Sequence, residues 1–188
     1  MKAHVAGAAA LVFLVQGAAA HSTDSAGSAF FAPLADTALI IALIACALWV
    51  GQQGHTRLVL GAFAAALAVG LALNHFAAPA RTQDALLAAT AATGLMVVIG
   101  RRWPAWLVTL AGAAVGLQLG RGVELGAHAG LARLTTAGTA WTLACAGVAL
   151  GGWCIARLRW PWSKIGVRVA ASWISASALL VLALAFAP

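Results

Sequence analysis

The segment from Leu117 to His128 reads LQLGRGVELGAH, and it ends an otherwise apolar run with a Gln, an Arg, a Glu and a His. Three glycines lead into it at four-residue spacing: Gly112, Gly116 and Gly120. On an α-helix this spacing places all three glycines on one face, where a second backbone can approach closely inside a bilayer. We therefore predict a tightly packed central helix that ends in a small polar site.

The composition around this segment is that of a membrane protein. Of the 188 residues, 63% are hydrophobic and only 8% are charged, whereas soluble domains carry roughly 25% charged residues. The formal net charge of +7 does not indicate nucleic acid as a partner, because the basic residues sit in short loops between apolar runs. The lipid bilayer is the predicted partner. The cysteines, Cys46, Cys145 and Cys154, show no metal or disulfide spacing and are predicted to be small buried hydrophobes.

Residues 1–20 are typical of a secretory signal peptide. Lys2 supplies the positive charge, an apolar stretch follows to Val15, and Ala18 and Ala20 fit an A-x-A cleavage site. Residues 21–33 then form a short extracytoplasmic segment, and residues 34–188 form the predicted transmembrane domain.

Six apolar segments follow, and each is predicted to be a membrane-spanning helix. Backbone amides must pair internally in lipid, so such runs are helices, and the alternation expected of barrel strands is absent. The third and fourth segments are shorter than the about 20 residues that cross a bilayer core, so we expect them to extend through polar flanks or to thin the bilayer locally. The segments are Leu34 to Val50, Leu58 to Ala77, Ala85 to Gly100, Ala105 to Leu119, Thr135 to Ile155 and Val169 to Phe186. The predicted fold is all-α.

The basic residues predict a multi-pass arrangement in the inner membrane with the mature N-terminus outside the cytoplasm. In that orientation the loops at 51–57, 101–104 and 156–168 are cytoplasmic and carry seven basic residues, against three on the other side, as the positive-inside rule requires. All four acidic residues fall on the outer side, where they attract cations. The outer basic residues are Arg81, Arg121 and Arg133, and the acidic ones are Asp24, Asp36, Asp84 and Glu124.

Polar residues at the outer ends of the helices are candidates for a metal site. Glu124 and His128 are four residues apart and would share a helix face. A carboxylate with an imidazole binds divalent transition metals. With Asp36 and His75 from neighbouring helices, a mixed oxygen and nitrogen site is geometrically feasible.

These residues also have structural alternatives. Glu124 could pair with Arg121 or Arg133 in a solvated outer loop, and His75 could contact water or a carbonyl at the interface. Polar residues inside a membrane are costly, so those near the helix ends count as functional candidates by default. The further polar candidates are Asn74, Gln118 and Arg121.

No pattern in the sequence argues for an enzyme. A bis-His haem needs two facing histidines at membrane depth, and only His75 lies near a membrane segment. Ser172, Ser175 and Ser177 lack the Gly-x-Ser context and the partner histidine of an intramembrane protease, and they indicate helix packing. The chain has no P-loop and no dinucleotide-binding fingerprint.

Two stretches carry a resemblance to a known family. Residues 30–54, FFAPLADTALIIALIACALWVGQQG, fit in part a first-helix pattern F-x-H-P-x-x-G-x-D-H-x-x-x-M that continues to L-W and Q-x-G. Residues 117–125, LQLGRGVEL, fit in part H-G-x-A-H-G-x-E-L. The chain thus resembles the HupE/UreJ family, small membrane proteins associated with hydrogenase and urease gene clusters and regarded as nickel permeases. The matching positions are Phe30, Pro33, Leu48, Trp49, Gln52, Gly54, Gly122, Glu124 and Leu125.

The metal-linked positions of that family are substituted in this chain. Nickel prefers imidazole and other nitrogen donors, and a fixed positive charge at Arg121 repels a dication at close range. The family's ligand and associated positions correspond here to Ala32, Asp36, Ala38, Leu39, Leu43, Leu117, Arg121 and Ala144.

The resemblance implies a transition-metal permease of the nickel type whose metal site is degenerate, or is rebuilt from Asp36, His75, Glu124 and His128. The metal would be a transported substrate, and no other cofactor is expected. One alternative is a non-transporting scaffold or accessory protein of a metalloenzyme system. Another is a carrier for a different cation or a small solute. A homo-oligomer or an accessory-protein partner stays open.

Overall fold

A computed structural model describes residues 36–53, 55–74, 79–123, 125, 130–158 and 161–186. Within these ranges the chain forms helices and no strand, which confirms the all-α prediction. The helices are α1 (Thr37–Gln52), α2 (Thr56–Leu73), α3 (Pro79–Ile99), α4 (Ala105–Gly122), α5 (Leu131–Arg157) and α6 (Pro161–Ala185). The predicted signal peptide, 1–20, and the segment 21–33 lie outside the described residues.

Three of the six described helices are long and apolar enough to cross a membrane: α2, α5 and residues Trp162–Ala185 of α6. The predicted number of helices is therefore confirmed, and three of the six meet both conditions for a membrane span. The reasons are local. α1 has only 16 residues, and α4 contains Gln118 and Arg121.

The outside of the bundle is apolar. Each of the helices α2 to α6 exposes large hydrophobic side chains, among them Leu110, Leu150, Trp173 and Leu180 at 62% to 73% exposure. A soluble monomer rarely leaves large apolar patches in water. These faces are suited to the hydrocarbon of a bilayer.

α1 is the central helix of the bundle. It contacts each of the other five helices, and buried residues make up half of its length, including Trp49 and Cys46 at 0% exposure. The prediction that α4 is central is wrong, because its glycines lie mainly against one neighbour, α2, whereas α1 contacts all five of the other described helices. The burial predicted for all three cysteines is confirmed only for Cys46, since Cys145 is half-buried and Cys154 is exposed on α5.

The closest helix pairs are not consecutive in the chain. α2 packs along α4, and α1 packs along α5. Both pairs are parallel, because contacts advance in the same direction on each partner: Gly112 faces Val59 and Gly120 faces Leu67, while Gly151 faces Ala47 and Ile155 faces Gly51. The consecutive pair α5 and α6 makes almost no contact.

α3 and α6 form a third pair, which is antiparallel. Gly100 of α3 lies against the guanidinium of Arg168, and Gly94 lies against Ser175 further along α6. The buried hydroxyl of Ser175 donates to the Ala91 carbonyl across the interface at 3.3 Å. The packing role predicted for this serine is confirmed.

The bundle has two distinguishable ends. We name them after the predicted orientation: the outer end is where α1, α3 and α5 begin, and the inner end is where they finish. At the inner end the side chain of Gln53, only 4% exposed, donates to the Arg101 carbonyl at 3.3 Å and accepts from the Trp103 backbone N–H at 3.2 Å. This amide therefore ties the end of α1 to the connection between α3 and α4.

Candidate functional site

The glycine face of α4 lies against the backbone of α2 and fixes the site at the outer end. A Cβ added at Gly116 would lie 2.5 Å from the carbonyl oxygen of Phe63, and one at Gly120 would lie 2.5 Å from that of Leu67. Gly70 of α2 is equally close to the backbone of α4 from the other side. Small-residue contacts of this kind let two membrane helices pack at backbone distance.

Asn74 holds the outer ends of α2 and α4 together. Its side-chain amide Nδ2 donates to the carbonyl oxygens of Gly120 at 3.2 Å, Arg121 at 2.9 Å and Val123 at 2.8 Å. The last carbonyls of a helix have no partner within the helix. Asn74 supplies one for α4, so this residue, predicted from the sequence as a functional candidate, has a structural task.

Gln118 and Arg121 present polar atoms without partners near this end. Gln118 lies one turn before Gly122, where an added Cβ would be 3.4 Å from Leu39 of α1 and 4.0 Å from Leu86 of α3, so Gln118 is directed toward that interface. Its Oε1 and the Nε of Arg121 are buried without a hydrogen-bond partner in the described part of the chain. Buried polar groups are normally satisfied by protein or water. The Gln118 acceptor and the Arg121 donor thus lie about one helical turn apart, and neither has a hydrogen-bond partner in the described residues.

α3 contributes two buried hydroxyl groups that were not among the residues predicted from the sequence. Thr90 and Thr93 are 0% and 2% exposed, and their Oγ1 atoms donate to the carbonyls of Leu86 and Ala89, each at 2.7 Å. Thr90 lies one turn beyond Leu86 and therefore at about the depth of Gln118. Their position inside an apolar run was the available signal, because a polar residue at membrane depth is costly.

Of the four predicted metal ligands, Asp36 lies within the described residues. Asp36 is exposed and caps α1, since its Oδ1 accepts from the Ala38 N–H at 2.9 Å. His75, Glu124 and His128 lie outside the described residues. Within the residues that are described, no group of three or more His, Cys, Asp or Glu side chains could hold a metal ion.

The chain positions that flank two of these ligands do converge. Asn74 precedes His75, and Val123 precedes Glu124. A hydrogen bond of 2.8 Å joins the Asn74 side chain to the Val123 carbonyl oxygen, so the residues that precede His75 and Glu124 in the sequence are in contact.

We expect the stability of the protein to depend on the helix N-cap that Asp36 forms. Asp36→Ala should lower the free energy of unfolding by about 1 kcal/mol, the usual cost of a lost N-cap, whereas Asp36→Asn should be nearly neutral because its amide oxygen also caps. Unfolding of the purified chain, with and without nickel, measures both effects. If Asp36→Asn abolished stabilisation by nickel, the carboxylate would be a ligand as well as a cap.

Comparison of the chain with protein-family models, with curated proteins and with solved structures finds no match. The functional interpretation therefore depends on the geometry of the outer end and on the resemblance carried by residues 30–54 and 117–125.

Proposed function

We propose that this chain is a six-span inner-membrane permease of the HupE/UreJ type, with its N-terminus outside the cytoplasm, which takes up a transition-metal cation of the nickel class. The observation that carries the proposal is the hydrogen bond from Asn74 to Val123. It supports a metal site because His75 and Glu124, an imidazole and a carboxylate, continue the chain from those two residues. Such mixed donors are suited to a first-row divalent cation.

The pairing of the helices supports six spans rather than three. α2 meets the length and hydropathy conditions for a membrane span. α4 runs parallel to it from the contact of Gly112 with Val59 to the contact of Gly120 with Leu67, which supports a membrane-spanning position for α4 as well. α3 follows α6 in the same way, from Gly100 at Arg168 back toward Leu87 and Ala178. Short helices of this kind are accommodated by local thinning of the bilayer.

The charges at the outer end favour binding of a divalent cation there over its direct passage through the bundle. Two carboxylates and two neutral imidazoles would balance a dication, and Asp84 adds a further negative charge on the same side. Arg121, next to the site, opposes movement of a dication deeper into the bundle. We therefore expect binding at the outer end to precede a slower transfer step.

Nickel binding by the purified full chain in detergent tests the proposal. His75→Ala and Glu124→Gln should each weaken the affinity for Ni²⁺ by at least about tenfold in titration calorimetry, because each removes a ligand. The control is His55→Ala, since His55 is an exposed histidine at the inner end. Wild-type affinity in both outer variants, or equal losses in all three, would remove the basis for the metal site.

A non-transporting accessory protein is the second candidate, and the described interior favours it. Buried residues there are apolar except for Gln53, Thr90, Thr93 and Ser175, and three of these four bond within their own helix or to its neighbour. Uptake of nickel into proteoliposomes separates the two functions. Binding without uptake would identify a metal-binding accessory protein, and uptake above that of empty vesicles would identify a permease.

A further inference from the structure

An open groove runs between α2 and the first half of α5, on the outside of the bundle. Its volume is about 750 Å³, within the range of about 300–1,000 Å³ that is usual for small-molecule sites. Small residues from both helices, Ala68 and Ala72 on one side and Ala137 and Gly138 on the other, form its walls.

The groove exists because nothing on either helix fills it. A Cβ at Gly138 would meet no atom within 4 Å. At the deep end the indole of Trp141 lies across the gap, and its Nε1 donates to the Ala64 carbonyl of α2 at 2.9 Å. The indole is thereby fixed in orientation with its N–H satisfied, so it closes the groove with an apolar ring.

The only charged side chain among the residues lining this described groove is Arg133, at the outer end. Arg133 and Trp141 are eight residues apart on α5, which corresponds to about 12 Å along a helix. Half of a bilayer core is about 15 Å. The groove thus extends from interface depth, at the guanidinium, to about the middle of the membrane.

We infer that this groove binds one phospholipid, with its phosphate at Arg133 and one acyl chain along the small-residue walls toward Trp141. An apolar channel of one leaflet's depth with a cation at its mouth is complementary to an anionic amphiphile. A guanidinium can hold phosphate oxygens through two parallel hydrogen bonds. Leu131 and Leu134, at 79% and 70% exposure, continue the apolar surface at the mouth. The inference rests on the membrane-spanning arrangement proposed above and does not depend on the transported solute.

Native mass spectrometry of the full chain, released from vesicles of phosphatidylcholine with a minor fraction of phosphatidylglycerol, tests the groove. We expect one phosphatidylglycerol retained per chain. Arg133→Gln should reduce that retention by about tenfold, as expected for loss of a charge-assisted hydrogen bond. Gly138→Leu should abolish it by filling the groove, with little effect on folding because the space beside Gly138 is open. The control is Arg157→Gln, at the other end of α5.

Several outcomes would overturn the inference. Equal retention by the wild type and Gly138→Leu would place the lipid elsewhere. Retention of inorganic phosphate with no lipid would identify an anion site only, and a lipid-free dimer disrupted by Gly138→Leu would show that a second copy occupies the groove. Nickel affinity measured on Gly138→Leu separates this result from the proposed function, because Gly138 is not among the residues proposed to hold the metal.

Discussion

Gly120→Ala is expected to destabilise the protein by about 1–3 kcal/mol, the usual cost of overpacking, although alanine is the better helix former. The added Cβ would lie 2.5 Å from the carbonyl oxygen of Leu67 and 2.7 Å from the backbone nitrogen of Leu71. Both atoms belong to the backbone of α2, so neither can move without separating the two helices. Chemical unfolding in detergent, followed by circular dichroism, measures the effect.

Gly147→Ala is the matched control. Gly147 lies within α5, as Gly120 lies within α4, but a Cβ there would meet nothing within 4 Å. This variant should be neutral or more stable by up to about 1 kcal/mol, because glycine is the poorer helix former. If the two variants unfolded at the same denaturant concentration, the close approach of α2 and α4 would contribute nothing to stability.

Asn74→Asp should cost about 2–3 kcal/mol, since it leaves helix-end carbonyls without a donor. The side chains have the same shape, but an ionised carboxylate has no hydrogen to donate, and it turns a negative charge toward the carbonyl oxygens of Gly120, Arg121 and Val123. The free energy of unfolding at neutral pH measures the loss.

Asn74→Ala separates the missing donor from the added charge. It removes the same hydrogen bonds without placing a carboxylate against the carbonyls, so its stability should fall between those of the wild type and Asn74→Asp. A role for Asn74 as an oxygen ligand of the metal predicts the reverse order for nickel binding, because a carboxylate is the stronger ligand. Tighter nickel binding by Asn74→Asp would therefore contradict the capping role as the main one.

The number and type of helices could be predicted from hydropathy, but several of their ends could not. α6 begins at Pro161, and the predicted segment began at Val169; α3 begins at Pro79, and the predicted segment began at Ala85. Hydropathy marks the part of a helix that lies in hydrocarbon. The helices continue beyond their apolar parts through polar residues such as Lys164, which is exposed, and Asp84, which is half-buried.

The arrangement of the helices was less predictable than their existence. Four-residue spacing of Gly112, Gly116 and Gly120 indicates a close contact, yet it contains no information on which helix makes it. The matching Gly70 on α2 lies nine residues after Gly61, the other glycine of that helix, and this spacing gave no comparable pattern. The central position of α1 also depends on how five other helices assemble around it, which periodicity within one segment does not determine.

For the residues of the outer site, too, the sequence predicted which residues matter better than it predicted what each one does. Polar residue types at helix ends drew attention to Asn74 and Asp36, but only their acceptors and donors show that both stabilise helix termini. Gln118 had no special spacing, and its unpaired oxygen becomes visible only when α1 and α3 are in place beside it. Chemistry near a site can thus be read from residue type, whereas the task of each residue depends on its neighbours in space.

The pairing of helices that are not consecutive in the chain constrains the order in which the protein folds during synthesis. Chains are inserted from the N-terminus as the ribosome synthesises them, yet α2 meets its main partner only after α4 has emerged, and α1 only after α5. Until α4 is made, Gly70 of α2 lacks the backbone against which it packs, and until α5 is made, Gly51 of α1 lacks its partner. α1 is therefore enclosed late in translation, and truncation before α5 would leave one of its main contact faces uncovered.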